Sequence, residues 1–197
     1  MECQDCFGPI RRMTGTDDPS EEDLLKVCRL LNQEGARYLV IGGFAMALHQ
    51  VPRFTHDVDL LIEDDEANFQ RVITALSGLA DGAARELQPK DFRDNLVVKV
   101  ADEVEVDISR RAWVVTYAEA LPGACETVID GVRIPFLGLN DLIRSKQTHR
   151  AQDEVDVLSL VSKWQSEKVP INGYRPGCTF GSSVLLMLLL TMVFLLR

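Results

Sequence analysis

The chain has no surplus of positive charge. It carries 30 acidic side chains against 21 basic ones in 197 residues, a net charge of -9, and this excludes a nucleic-acid binder that works through a broadly basic surface. A nucleic-acid substrate would need a local patch, for which Arg110-Arg111 and the run from Arg144 to Arg150 are the candidates. A disulfide framework is also missing: the five cysteines, at positions 3, 6, 28, 125 and 178, are odd in number and irregularly spaced. No secretion signal is recognisable, so a reducing, cytoplasmic setting is expected. Cys3 and Cys6 make a lone CxxC without the second pair that a four-ligand zinc site needs. That stretch is read as a floppy terminus.

What is present suffices for one catalytic-size domain with appendages. Residues 1–19 show no periodicity and are read as a disordered lead-in. Ser20 has the character of an N-cap, with Asp23 three residues on and Leu24, Leu25, Val27, Cys28 and Leu31 following at helical spacing. Residues 38–41 and 58–62 are short apolar runs suited to buried strands, and 44–49 is a short helix that stops before Pro52. The spacing over 65–79 predicts an amphipathic helix with Phe69, Val72, Ile73 and Leu76 inward. Strands are expected at 96–100 and 104–108 around a turn at Asp102-Glu103, and at 127–129 and 132–136 around Asp130-Gly131, a strong hairpin signal. Helices follow at 140–148 and 152–164, the second with Val155, Leu158 and Val161 inward. The pattern is α+β, a mixed sheet with helices packed mainly on one side. The domain is placed at 20–164, a linker at 165–183 and a hydrophobic tail at 184–197.

In the tail, Val184 to Leu196 is apolar apart from Thr191, and no charge occurs from Pro176 until Arg197. The apolar core alone falls short of the ~20 residues a membrane span needs, but the uncharged stretch reaches that length when counted back through Cys178. Residues 178–196 are therefore a candidate transmembrane helix, one that would tether the domain to a membrane with Lys163, Lys168 and Arg175 on the cytoplasmic side. A helix buried against the domain or a partner is the competing reading.

The chemistry concentrates between Tyr38 and Glu63. Asp57 and Asp59 sit two apart on a strand, so both carboxylates leave one face while Val58 points into the core. Such a pair repels itself unless a cation lies between, and hard oxygen ligands favour Mg²⁺. Gly42-Gly43 stands between a strand and a short helix, where the backbone can approach a phosphate. Asp107 alternates with Val106 and Ile108, and completes a triad if its strand lies beside that of Asp57 and Asp59. Glu105 faces the same way and is the rival for that role. Three carboxylates could hold two Mg²⁺ ions against a triphosphate.

Gly42-Gly43-Phe44-Ala45, His49, Arg53, Thr55, Asp57-Val58-Asp59 and the later Val106-Asp107-Ile108 together resemble the polymerase-β-like nucleotidyltransferase superfamily. Leu139 to Lys146, with Arg150, Asp153 and Asp156, is similar to the helix pair that follows the sheet in small bacterial nucleotidyltransferases grouped with AbiEii-type abortive-infection toxins. The resemblance spans roughly residues 36–162. It implies transfer of a nucleoside monophosphate from an NTP to a hydroxyl acceptor, which in the superfamily is an RNA end, a protein or a small molecule. It implies metal ligation and catalysis by Asp57, Asp59 and Asp107, with Gly42, Gly43, Arg53, Thr55 and Lys146 on the nucleotide. A toxin-antitoxin or phage-defence setting with a cognate partner protein goes with that branch. Asp153 is read as a helix-capping or solvated residue, with orientation of Lys146 as the alternative, and His49 and His56 as packing and strand-entry residues. Phe44 replaces the serine that many superfamily members carry after the paired glycines, so a hydroxyl contact is lost while the backbone donors stay. The alternative function is a non-catalytic, antitoxin-like module that binds nucleotide or a partner.

Overall fold

The computed structural model describes residues 20–167. The expected lead-in, the tail and all of the linker beyond residue 167 lie outside the described residues. Ser20 and Asp23 close a reciprocal capping box on α1 (Glu21–Gln33), which buries Leu24, Leu25, Val27, Cys28 and Leu31. There follow β1 (Tyr38–Val40), α2 (Gly42–Leu48), β2 (Val58–Ile62), α3 (Glu66–Leu76), α4 (Pro89–Asp94), β3 (Val97–Ala101) and β4 (Glu105–Ser109). Two short strands, β5 (Arg111–Ala112) and β6 (Val115–Thr116), lead to α5 (Tyr117–Ala120). The hairpin β7 (Cys125–Ile129) and β8 (Val132–Phe136) comes next, then α6 (Leu139–Ser145) and α7 (Ala151–Glu167). The sequence pattern misses α4, β5, β6 and α5, which are too short to show a period.

Six strands form one sheet in the order β3-β4-β2-β1-β8-β7. β1 is antiparallel to β2, β3 to β4 and β7 to β8, while β2 runs parallel to β4 and β1 to β8. The fold is thus α+β with a mixed sheet. Alternation along the strands sends Tyr38, Val40, Val58, Leu60, Ile62, Val106 and Ile108 to one face, into a core with α1, α3 and Phe92 of α4. Leu39 and Leu61 face the other way, toward Ala112 and Val115 of the small hairpin and Leu142, Ile143, Val157 and Leu160 of the C-terminal helices. Each fully buried leucine or phenylalanine contributes about 1.5–3 kcal/mol, so the first face carries most of the stability. Asp59 and Asp107 lie on the second face, which is only partly covered.

Helix α7 departs from the expected orientation. Val155 and Leu158 are exposed, and the buried positions are Asp153, Asp156, Val157 and Leu160. Two buried aspartates turn the helix, because their cationic partners lie on the domain side and outweigh the apolar period. The helix also runs to Glu167, past the boundary expected at residue 164.

The expectations of a transmembrane helix, of membrane contact and of membrane tethering are corrected. No helix of the described residues is long and apolar enough to cross a membrane. The longest candidate, α7, is interrupted by Asp153, Glu154, Asp156 and Lys163, and it pairs Asp153, Asp156 and Lys163 with the domain. Residues 178–196 lie outside the described residues.

One buried polar side chain fixes the sheet's entry. Asn68 on α3 is fully buried and accepts from the Arg37 amide at 2.7 Å while donating to the carbonyls of Arg37 and Glu63 at 3.0 and 3.1 Å. It thereby clamps the start of β1 to the end of β2. Asn68→Ala leaves a donor and two acceptors without their partner, and is expected to lower stability by about 2–4 kcal/mol in urea unfolding. A change below about 0.5 kcal/mol would show that the clamp holds nothing.

Candidate metal centre

The site begins with a register. β2 pairs with β4 so that Asp59 stands opposite Asp107, and because both strands alternate in phase their carboxylates leave the same face. Asp57, just before β2, joins them: one oxygen from each of Asp57, Asp59 and Asp107 lies within 4.8 Å of the others. Glu105 is not in this group. It turns toward Lys99, 3.1 Å away.

The paired glycines are shaped by these same groups. Gly42 has φ +62, and a Cβ there would lie 1.8 Å from Asp59 Oδ2; a Cβ on Gly43 would lie 2.5 Å from Thr55 Cβ. No larger residue fits either position without displacing Asp59 or Thr55. The Gly43 amide acts on the Asp59 carboxylate, favouring its charged form. Phe44 points away into the main core. Thr55 Oγ1 donates to Asp57 Oδ1 at 3.1 Å and reaches the Asp57 carbonyl at the same distance. Its observed partner is therefore a carboxylate of the cluster.

A cationic shoulder flanks the carboxylates. Lys146, at the end of α6, is buried, with Nζ 3.3 Å from Asp153 and 3.0 Å from Asp156. Asp153 also accepts from Arg150 at 2.8 and 3.0 Å and from Thr148. Asp156 pairs with Arg53 at 3.2 Å and with Gln152 at 3.0 Å. Both aspartates are inaccessible to solvent, so the solvated or capping role expected of Asp153 gives way to a buried ion-pair network. Burial alone would raise the Asp153 pKa, but the bonds from Arg150 and Thr148 and the charge of Lys146 bring it below the ordinary range. His49 packs edge-on against Phe136, with Nε2 2.8 Å from the Leu137 carbonyl, and His56 is exposed. The basic candidates are similarly engaged: Arg110 pairs with Asp64 and Arg144 with Asp141.

Charge inside the cluster is unbalanced. Burial first, then the neighbouring Asp57 and Asp107, push Asp59 up from 3.8 to about 6, with the Lys146 charge and the Gly43 amide opposing. Asp107 is raised too, chiefly by burial, with Lys99 opposing. Asp107 Oδ1 is buried and accepts no well-formed hydrogen bond from the described residues; its nearest cation is Lys99 Nζ at 3.3 Å. Lys99 stands opposite Asp107 on β3, and the sequence pattern overlooks it because a half-exposed lysine on an alternating strand looks like ordinary surface. Three converging carboxylates with an unsatisfied buried oxygen fit a hard divalent cation. The cluster can coordinate a divalent metal. A separate cleft of about 470 Å³, lined by Arg37, Glu63, Asp64, Arg110, Arg111 and Tyr117, opens at the other end of β2, away from the carboxylates.

Residues 20–173 match the family described as "Nucleotidyl transferase of unknown function (DUF2204)". The chain belongs to this nucleotidyl transferase family. Its fold is that of the polymerase-β-like nucleotidyltransferase superfamily. No curated protein matches it. Among solved structures, a Thermotoga maritima protein provisionally named a nucleotidyltransferase is 17% identical, covering 74% of this chain and 92% of its own, with a TM-score of 0.47. An antigenic nucleotidyltransferase-like protein from Paracoccidioides brasiliensis is 18% identical, covering 88% of this chain and 87% of its own, with a TM-score of 0.46.

The raised Asp59 pKa gives this nucleotidyl transferase a pH signature. Because the folded value, about 6, exceeds the ordinary 3.8, the folded state holds the proton longer than the unfolded one. Stability without metal therefore falls as pH rises through that window, by about 3 kcal/mol in total. Asp59→Asn removes that slope, so without metal the variant should be the more stable protein above the window, and Mg²⁺ should stabilise only the parent. Urea unfolding across pH, with and without Mg²⁺, reads both effects. Parallel pH profiles for parent and variant would contradict the assignment.

Proposed function

We propose that the protein is a Mg²⁺-dependent nucleotidyltransferase that moves a nucleoside monophosphate from an NTP to a hydroxyl acceptor and releases pyrophosphate. The observation that carries this reading is the meeting of Asp57, Asp59 and Asp107 on one sheet face beside the paired glycines. Two Mg²⁺ ions bound there would neutralise triphosphate charge and sharpen the acceptor as a nucleophile. Asp57 and Asp59 hold the cation side of the site, the first oriented by Thr55 and the second by the Gly43 amide. Asp107, once Lys99 withdraws from its Oδ1, takes the acceptor proton as the acceptor oxygen bonds to the α-phosphorus and the bond to pyrophosphate breaks. Lys146, held by Asp153 and Asp156, and Arg53, held by Asp156, face the phosphates; Gly42 and Gly43 let them approach.

The domain boundary stays at 20–164, extended by the end of α7. The AbiEii-type branch, with a cognate partner protein, rests on the sequence of α6 and α7 alone. The acidic net charge and the engagement of Arg110 and Arg144 in ion pairs favour a small or protein acceptor over a large RNA. The antitoxin-like alternative draws on Phe44, whose place in the main core leaves the hydroxyl contact missing, while the assembled carboxylate set counts against that alternative.

Asp57→Ala and Asp59→Ala are expected to abolish transfer of label from an α-labelled NTP into a cell lysate. Circular dichroism should be unchanged, because each substitution removes a ligand and no core side chain. Incubation with each of the four NTPs identifies the donor base, and the labelled fraction identifies the acceptor class. Undiminished transfer by the double variant would overturn the proposal.

A further inference from the structure

The hairpin of β5 and β6 pairs Arg111 with Thr116 and Ala112 with Val115, leaving Trp113 and Val114 as its two-residue tip. Ala112 and Val115 are buried in the second core cluster and fix the hairpin on the face that carries Asp59. Trp113 is held at φ +57, a left-handed conformation that a bulky side chain adopts only under constraint. Its indole is half-exposed at 48%. It makes a T-shaped ring contact with His149, with centroids 6.1 Å apart at 88°, and no parallel ring stacks on the indole among the described residues. His149 directly precedes Arg150, whose guanidinium is bound to Asp153 beside Lys146 and feels the charge of Asp59. A half-exposed indole therefore reaches, through His149, the cationic shoulder of the carboxylate cluster. The ligand chemistry that satisfies both is a flat π-system joined to an anion, which is the form of a nucleotide.

We propose that Trp113 is the stacking platform for the base of the donor nucleoside triphosphate. The proposal rests on the nucleotidyltransferase reading and adds to it the residue that grips the base. A face-to-face stack uses the π-surface that every base presents, so Trp113 supplies affinity without choosing among bases. Glycine in this turn would relax the φ +57 backbone but lose the platform.

The test compares parent, Trp113→Ala, Trp113→Phe and Trp113→Gly for binding of ATP, UTP and inorganic tripolyphosphate in Mg²⁺ by calorimetry. The expected result is an affinity loss of about 5- to 100-fold for both nucleotides in the Ala and Gly variants. Phe should restore most of it, and tripolyphosphate binding should be equal throughout. The Gly variant should unfold at or above the parent's temperature, which a structural role would not allow. In a Trp164→Phe background, where Trp113 is the remaining indole, nucleotides without acceptor should quench fluorescence and tripolyphosphate should not. Equal nucleotide affinity in parent and Trp113→Ala would overturn the platform while leaving the nucleotidyltransferase reading intact. Quenching by an RNA oligonucleotide but not by NTP would overturn the assignment to the donor base. Failure of the parent to bind either triphosphate would overturn the nucleotidyltransferase reading and this inference with it.

Discussion

The mutual repulsion of Asp57, Asp59 and Asp107 is the constraint around which this protein is arranged. Oxygens within 4.8 Å of one another cost about 3–4 kcal/mol per charged pair at an effective dielectric near 20. Parallel pairing of β2 and β4 forces two of the carboxylates together, and the core behind Val58, Leu60, Val106 and Ile108 keeps the strands from shifting. A slip of one residue by either strand would turn that strand's aspartate into the core. The repulsion is thus stored by ordinary sheet packing, and it adds to burial, the larger cause, in raising the Asp59 pKa.

The surrounding structure moderates the repulsion without cancelling it. Lys146 opposes it from one side and Lys99 from the other, while the Gly43 amide and Thr55 hydroxyl orient individual carboxylates. Lys146 is itself neutralised by Asp153 and Asp156, which also hold Arg150 and Arg53. Removing one partner from such a buried set leaves an uncompensated charge, a loss of about 3–5 kcal/mol. The aspartates of α7 therefore keep a row of cations beside the acidic cluster. The glycines belong to the same arrangement, since Asp59 and Thr55 occupy the space that side chains there would need.

Much of this was legible in the sequence, and the failures have physical causes. Alternation around Val58 and Val106 put Asp57, Asp59 and Asp107 on a common face, and Asp130-Gly131 announced its hairpin. Strand order was not legible: that β4 lies beside β2 with Asp59 opposite Asp107 comes from long-range pairing, so the triad remained conditional. Helix α7 was turned the wrong way because periodicity counts Val155 and Leu158 as inward, whereas Lys146, Arg150 and Arg53 draw Asp153 and Asp156 inward in their place. Lys99 and the β5–β6 tip went unnoticed because one is an unremarkable strand lysine and the other belongs to two-residue strands with no period. The apolar stretch at 178–196 looked like a membrane span on length alone, and none of the described helices has that character.

Three carboxylates assembled to share a divalent cation should hold one in a crystal. Anomalous diffraction from a crystal grown with Mn²⁺ and a non-hydrolysable NTP reads this. The expected result is a manganese peak bridging Asp57, Asp59 and Asp107, with the Lys99 ammonium withdrawn from Asp107. A manganese peak elsewhere, or no peak with the Lys99–Asp107 pair intact at saturating metal, would contradict it.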